Sequence, residues 1–334
     1  MLVLWGRGWV EPVVAPPEPR HIVAQQLLAL CLQEHRVGDQ NWSQWWNGLD
    51  PFGRGAAPII RHLIDQGYLD TDSDMLHIGP EAERRFGYRH FMGMTAVFVG
   101  APEFTVLVGR DELGRVDPAL LTEEVQGDHR PLLNGRSWRV TYIDWRRRRC
   151  FVEPAESGGN ARWTTGGWSG RGFELSRAMR EVLLGADPPV KLTHRAAKRL
   201  AQEREERSSL VHPGGSVILR DQQVGDLRWW TWAGFRANAT LAATLTEVVD
   251  PVQRFDDCQI RLREKNLTRD EWRTLIADAD QRLCLPEVNK KALDGLKFSE
   301  ALPERLALAT LASRLADLNG AAAVLQEPAR FAQM

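Results

Sequence analysis

The chain has 334 residues, 43% of them hydrophobic, enough to bury a full core and to divide into two or three domains. Its 43 Lys and Arg balance 44 Asp and Glu, so no global positive field draws in polyanions and any nucleic-acid contact must be a local patch. Cys31, Cys150, Cys258 and Cys284 form no CxxC pair, and Leu2 to Val10, broken by Arg7 and two glycines, is too short and interrupted for a membrane span or signal peptide. This argues against a zinc site and a disulfide framework, and the expectation is a cytoplasmic protein with reduced core thiols.

The pattern predicts an α+β fold in four stretches. Residues 1–18 read as a connector, because Pro12, Pro16 and Pro17, with Pro19 just beyond, block regular helix. Residues 19–92 read as a winged-helix domain. Ile22, Val23, Leu27, Leu30 and Cys31 recur at helical steps, Trp42, Trp45, Trp46 and Leu49 predict a short second helix introduced by Asn41, and Ile59, Ile60, Leu63 and Ile64 predict a third ending at Gly67. YLDTDSDMLHIG then has the apolar ends and polar centre of a hairpin wing. Such a domain serves equally as a protein-docking scaffold or as a nucleic-acid contact.

Residues 93–186 read as a small β-barrel-like domain with strands TAVFV, FTVLVG, ELGRVD, SWRVTYIDW and RCFVEP, followed by a helix with the stripe Phe173, Leu175, Met179, Val182 and Leu183. Residues 187–334 read as a mixed helical and β module. LTHRAAKRLAQEREERSS is a charged helix, SVILRDQQVGDLRWWTWAG two strands around a turn at Gln223–Asp226, FRANATLAATLTEVV a helix and CQIRLRE a strand. Thr268 and Glu271 have capping-box spacing, and ERLALATLASRLADL is a final amphipathic helix.

No GxxxxGK[ST] loop is present, and Asp270-Glu271 follows Thr268 as a helix start instead of ending an apolar strand, so ATP hydrolysis is not expected of this polypeptide by itself. No HExxH-like pair places a metal, and no motif places a catalytic carboxylate. Chemistry concentrates in Leu133–Leu184, where Trp138, Trp145, Trp163 and Trp168 interleave with arginines. Rings stack on bases of any sequence while guanidinium groups track phosphates, so this composition suits single-stranded nucleic acid. The run Arg146–Arg149 lies between two strands and reads as a turn, either simply solvated or in contact with phosphates. Trp229, Trp230 and Trp232 read as core, with alternation placing Trp230 and Trp232 opposite Trp229, and Trp42, Trp45 and Trp46 carry the same bias. Trp163 lies between SGGN and TTGG, segments with few side chains to bury it. The expected roles are base stacking for Trp163, phosphate contact for Arg146, Arg147 and Arg148, and groove lining for Trp145, Trp168 and Arg171.

GRSWRVTYIDWRRRRCFVEPAESGGNARWTTGGWSGRGFELSRAMREVLL resembles the segment of Lhr-type (large helicase-related) superfamily 2 DNA helicases that runs from the barrel after the winged helix into a helix. VEPVVAPPEPRHIVAQQLLAL is similar to the exit from the second RecA domain into the winged helix, and RHFMGMTAVFVGAPEFTVLVGRDELGRVD to the start of the barrel domain. RWWTWAGFRANATLAATL and LKFSEALPERLALATLASRLAD resemble its C-terminal part. The resemblance implies the strand-holding part of an ATP-dependent 3′-to-5′ translocase acting on single-stranded or partly duplex DNA, in DNA repair or anti-phage defence. ATP and magnesium would be bound by RecA domains, which the sequence does not contain, so the implied partner is a motor subunit in trans and no cofactor belongs to this chain. A natural subunit, a split gene product and an excised segment all fit that pattern. Trp163 matches the family's stacking tryptophan, with Ala161 and Arg162 where the family has Pro-Phe. Two alternatives stand beside it. One is an AlkZ-like DNA glycosylase, for which Gln126-Gly127-Asp128 is the local candidate motif, and the other a docking scaffold for a helicase motor with Leu2, Trp5, Trp9 and Val10 as apolar anchors.

Overall fold

A computed structural model describes residues 1–88, 90–98, 103–116, 132–133, 136–156, 170–220, 226–251, 255–263 and 267–333. The chain is mixed α+β and divides into two compact units, Met1–Phe98 with Gly170–Met334, and Val99–Ser169.

The first unit begins with a short helix, α1 (Leu2–Gly6), inside the stretch expected to be connector; Val3 and Leu4 are buried while Leu2 and Trp5 are exposed. Helix α2 (Arg20–Glu34) buries Val23, Ala24, Leu27, Leu28 and Cys31 against Ile59, Ile60 and Leu63 of α3 (Ala57–Asp65). Strands β1 (Val37–Gly38), β2 (Leu69–Asp72) and β3 (Met75–Ile78) form an antiparallel sheet in the order β1-β3-β2, followed by α4 (Pro80–Phe86). The β2–β3 hairpin turns through Ser73 and Asp74, both at positive φ (51° and 65°), as a two-residue turn that matches strand twist requires.

Two expected elements differ. Trp42–Trp46 is a 3-10 segment, because Asn47 and Gly48 turn left-handed (φ 47° and 78°) before an α-helix can propagate. Only Trp46 finds a flat partner there, stacking on Phe52 at 4.0 Å, and Trp45 stays 52% exposed, against its expected core role. TAVFV forms no strand among its described residues: Met92–Thr95 is 3-10, and the Lys297 ammonium donates to the carbonyls of Gly93 and Ala96, satisfying backbone that a sheet neighbour would otherwise serve.

The second unit is one five-stranded sheet curled into a half-barrel. Strands β4 (Phe104–Val108), β5 (Asp111–Val116), β6 (Leu132–Leu133), β7 (Arg136–Asp144) and β8 (Arg149–Pro154) run in the order β5-β4-β8-β7-β6, with β4 and β8 parallel and the rest antiparallel. Phe104, Val106, Val116, Trp138, Cys150 and Val152 fill its inner face. A register shift between Val140 and Tyr142 inserts one extra residue into β7, and a bulge of this kind bends the strand and re-aims the side chains after it.

The first unit resumes with α5 (Phe173–Leu183) and α6 (His194–Glu206), the latter capped by the Thr193 hydroxyl, which accepts from Ala196 N at 3.2 Å. Strands β9 (Ser216–Arg220) and β10 (Leu227–Trp230), helix α7 (Gly234–Thr244), strand β11 (Gln259–Leu262), helices α8 (Arg269–Ile276), α9 (Glu304–Leu315) and α10 (Leu318–Leu325), and strand β12 (Ala329–Gln333) complete it. The sheet order is β11-β10-β9-β12, antiparallel except for β12, which runs parallel to β9. Trp229, Ile218, Leu227 and Ile260 cover α7 and α10 through Leu241, Ala321 and Val324.

The Thr268–Glu271 capping box forms in both directions: Glu271 N donates to Thr268 Oγ1 at 3.3 Å and Thr268 N to Glu271 Oε2 at 2.8 Å. The Thr268 backbone N–H and, second, the Thr268 hydroxyl, both donating to Glu271 Oε2, hold the Glu271 carboxyl below its ordinary pKa. Thr268→Ala is expected to lower stability by about 1 kcal/mol, measured as a reduced urea midpoint with an unchanged m-value.

Candidate nucleic-acid interface

In the second unit, β7 and β8 are joined by a tight turn at residues 145–148 that contains Trp145, Arg146, Arg147 and Arg148. The turn is fixed from both sides. Asp144 Oδ1 accepts from Arg147 N at 2.9 Å, and Arg148, at φ 50°, offers its carbonyl to Thr105 N at 2.9 Å. Trp145 meets the ring of Phe104 edge-on, with centroids 5.1 Å apart at 77°, so a core residue steadies an indole that remains 52% exposed.

The three guanidinium groups are exposed. Arg147 lies 3.9 Å from Asp144, a loose pairing, and Arg146 and Arg148 have no carboxylate partner among the described residues. Residues 136–156 hold six arginines against three carboxylates, which gives the hairpin a local positive field that the near-neutral chain lacks. Sequence reasoning overlooked Tyr142. The β7 bulge places it opposite Phe151, ring centroids 6.0 Å apart, where it is 62% exposed. No composition signal marks that residue, because the bulge is a property of strand pairing. Trp163 and Trp168 lie outside the described residues, as do Gln126, Gly127 and Asp128.

Arg171 belongs to the other unit. Its guanidinium pairs with Asp257 at 3.2 Å and its carbonyl accepts from Phe235 N at 2.9 Å. It lines a cavity of about 580 Å³ with Met179, Leu183, Arg207, Trp230 and Trp232. The rings of Trp230 and Trp232 lie 5.7 Å apart, and Trp232, just past the end of β10 and 2% exposed, donates its indole N–H to Leu210 O at 2.9 Å. Arg171 is therefore already neutralised by a carboxylate, unlike Arg146 and Arg148.

Burial pushes the thiols of Cys31, Cys150 and Cys258 up to about 11, which keeps them protonated and poorly nucleophilic at neutral pH. Cys284 is exposed and not a core thiol; it follows the 3-10 turn Ala279–Arg282 and its Sγ contacts Arg282 O at 3.4 Å. Among the described residues, no cluster of three His, Cys, Asp or Glu could hold a metal, and no helix is long and apolar enough to cross a membrane. No family model, curated protein or solved structure matches the chain.

Proposed function

We propose that the chain is a single-stranded-DNA-binding module of the kind found in Lhr-like helicases, gripping a strand through the β7–β8 turn of a barrel-like domain. The observation that supports this best is the exposed Trp145 indole, braced by Phe104, beside three exposed guanidinium groups. A steadied aromatic plane provides stacking with little ordering cost, and the adjacent cations meet the phosphates that flank the stacked base. Tyr142 extends the aromatic surface along β7, and Trp163 and Trp168 are the further stacking and groove residues in this reading. We read residues 19–92 as a winged helix that guides the same DNA, with Arg171 a secondary contact. ATP hydrolysis would come from RecA domains acting with it.

Fluorescence anisotropy with a labelled oligonucleotide tests this. Trp145→Ala is expected to weaken binding by about 1–3 kcal/mol without loss of secondary structure. Replacing Arg146, Arg147 and Arg148 together with alanine is expected to flatten the slope of log K against log salt by about 2, since each contact to a single strand contributes about 0.7. Full affinity in both variants, or no strand binding by the parent protein, would overturn the reading.

A further inference from the structure

Met179, Val182 and Leu183 recur at helical steps on α5, and all three stay only half-buried, so an apolar helix face is left without a complete packing partner. They line the cavity of about 580 Å³ that Trp230 and Trp232 also line, a volume within the range of about 300–1,000 Å³ typical of small-molecule sites. Trp230 is half-buried. Trp232 braces it with a second ring 5.7 Å away at 31°, and that ring is fixed in turn by its N–H bond to Leu210 O. An indole steadied in this way can pack against another aromatic ring with little ordering cost.

Four charged side chains share the lining, and they cancel. Arg171 pairs with Asp257 at 3.2 Å, and Arg207 Nε donates to Glu203 Oε2 at 2.6 Å. Glu203 Oε1 also accepts from Arg199. Asp256 Oδ1 accepts from the backbone N–H groups of Cys258 and Gln259 at 2.7 and 3.0 Å, and its Oδ2 accepts from Gln259 Nε2 at 3.0 Å. The Cys258 thiol, raised to about 11 chiefly by burial, is protonated at neutral pH and adds no charge. Two cations and two carboxylates therefore line the space, and the partners Arg199 and Asp257 balance as well. An ionic ligand would bring an unpaired charge beside apolar walls, which is costly.

Hydrogen-bonding capacity is uneven where charge is not. Both carboxylates have both oxygens engaged. Arg171 commits only Nη1, to Asp257 and the Cys258 Sγ, and Arg207 commits only Nε, so their other N–H groups have no protein partner among the described residues. These two side chains are 47% and 48% exposed, which leaves the spare donors within reach of a ligand. A carbonyl oxygen meets such donors without bringing a charge.

We propose that this cavity binds an uncharged, planar aromatic molecule bearing a carbonyl oxygen. Its ring packs on Trp230 and the apolar face of α5, and its carbonyl accepts from the spare N–H groups of Arg207 and Arg171. Every lining residue belongs to the unit formed by Met1–Phe98 and Gly170–Met334, so the site does not depend on the strand-binding reading.

Isothermal titration of the full chain with 2-quinolinone, an uncharged bicyclic lactam, is expected to show one saturable site at millimolar or lower concentration. Three contrast molecules each lack one feature: indole has no acceptor, δ-valerolactam has no aromatic ring, and quinoline-2-carboxylate is charged. Each should bind more weakly by about threefold or more. Trp230→Leu, which keeps an apolar side chain but removes the ring, is expected to weaken 2-quinolinone by about threefold to tenfold. Arg207→Met, which keeps the length but removes the donors, should weaken it by about fivefold or more. Arg207 is half-exposed, so this second variant covers the case in which Trp230→Leu does not fold. Trp145→Ala, in the other unit, should leave 2-quinolinone binding unchanged, and failure of the parent protein to bind a DNA strand would leave it unchanged too. No saturable binding, equal affinity for any contrast molecule, loss of binding in Trp145→Ala, or unchanged affinity in both cavity variants would overturn the proposal.

Discussion

Trp229→Ala is expected to destabilise the protein by about 3–5 kcal/mol, the range for removing a large aromatic from a packed core. Trp229 is 1% exposed in β10, an interior strand of its sheet, with β9 and β11 on either side. It meets Trp272 of α8 edge-on at 4.7 Å and 74°, so the loss includes an aromatic pair that links sheet to helix. Its indole N–H also donates to Ser216 Oγ at 2.9 Å, and Ser216 is itself 1% exposed. Truncation therefore leaves both a cavity and a buried hydroxyl without its donor. Urea unfolding followed by circular dichroism measures the effect, with Trp45→Ala as the contrast: that 52% exposed ring should cost well under 1 kcal/mol. Equal losses at the two positions would contradict the burial assigned to each.

These two tryptophans show what the sequence could and could not reveal. Within β10 strand alternation separates Trp229 from Trp230, because a period of two is imposed by the backbone, whereas Trp232 lies past the end of the strand at φ 52° and its 2% exposure is not set by alternation. In Trp42–Trp46 the same residue type carries no such information, since the left-handed pair Asn47-Gly48 stops the helix and only Trp46 reaches a stacking partner. The Thr268–Glu271 box is legible because both partners lie within one helical turn. Strand β12 is not: ARFAQ has little pattern of its own and becomes a strand by pairing in parallel with β9, more than a hundred residues earlier. Likewise ERLALATLASRLADL reads as one helix, whereas it stops at Leu315, and the side chain of Asp317 caps a new helix by accepting from Gly320 N at 2.8 Å.

The candidate sites divide along the same line. The Arg146–Arg148 turn is visible in the sequence because cations between two β-patterned segments have few places to go except a hairpin end. The buried cluster of Arg177, Arg180 and Glu327 is not visible, since Glu327 is 150 residues from Arg177 and the two arginines look like ordinary helix-surface residues until α5 is packed. Local chemistry follows from spacing, whereas a buried ion cluster follows only from tertiary structure.

Acidification is expected to weaken the first unit through His21 by on the order of 3 kcal/mol. His21 is 2% exposed on α2, and its Nε2 accepts from Arg314 Nη2 of α9 at 3.0 Å. Burial first, and the Arg314 charge second, lower its pKa from 6.5 to about 4. Because the folded value lies below the unfolded one, the unfolded chain binds the extra proton between those limits. Stability is therefore full above about pH 6.5 and declines as pH falls toward 4. Protonation would turn the acceptor into a donor facing a guanidinium, and the local environment offers no relief: Arg20 is a further cation on the same helix, paired with Glu18. His21→Gln, which keeps an acceptor without a titrating ring, should remove most of the slope in this interval while leaving the neutral-pH stability near that of the parent. Urea midpoints measured from pH 4 to 7 provide the test. An identical slope in parent and variant would assign the acid sensitivity to other groups, such as the carboxylates of Glu81, Glu203 and Glu271, whose pKa values are also lowered but which titrate in a more acidic range.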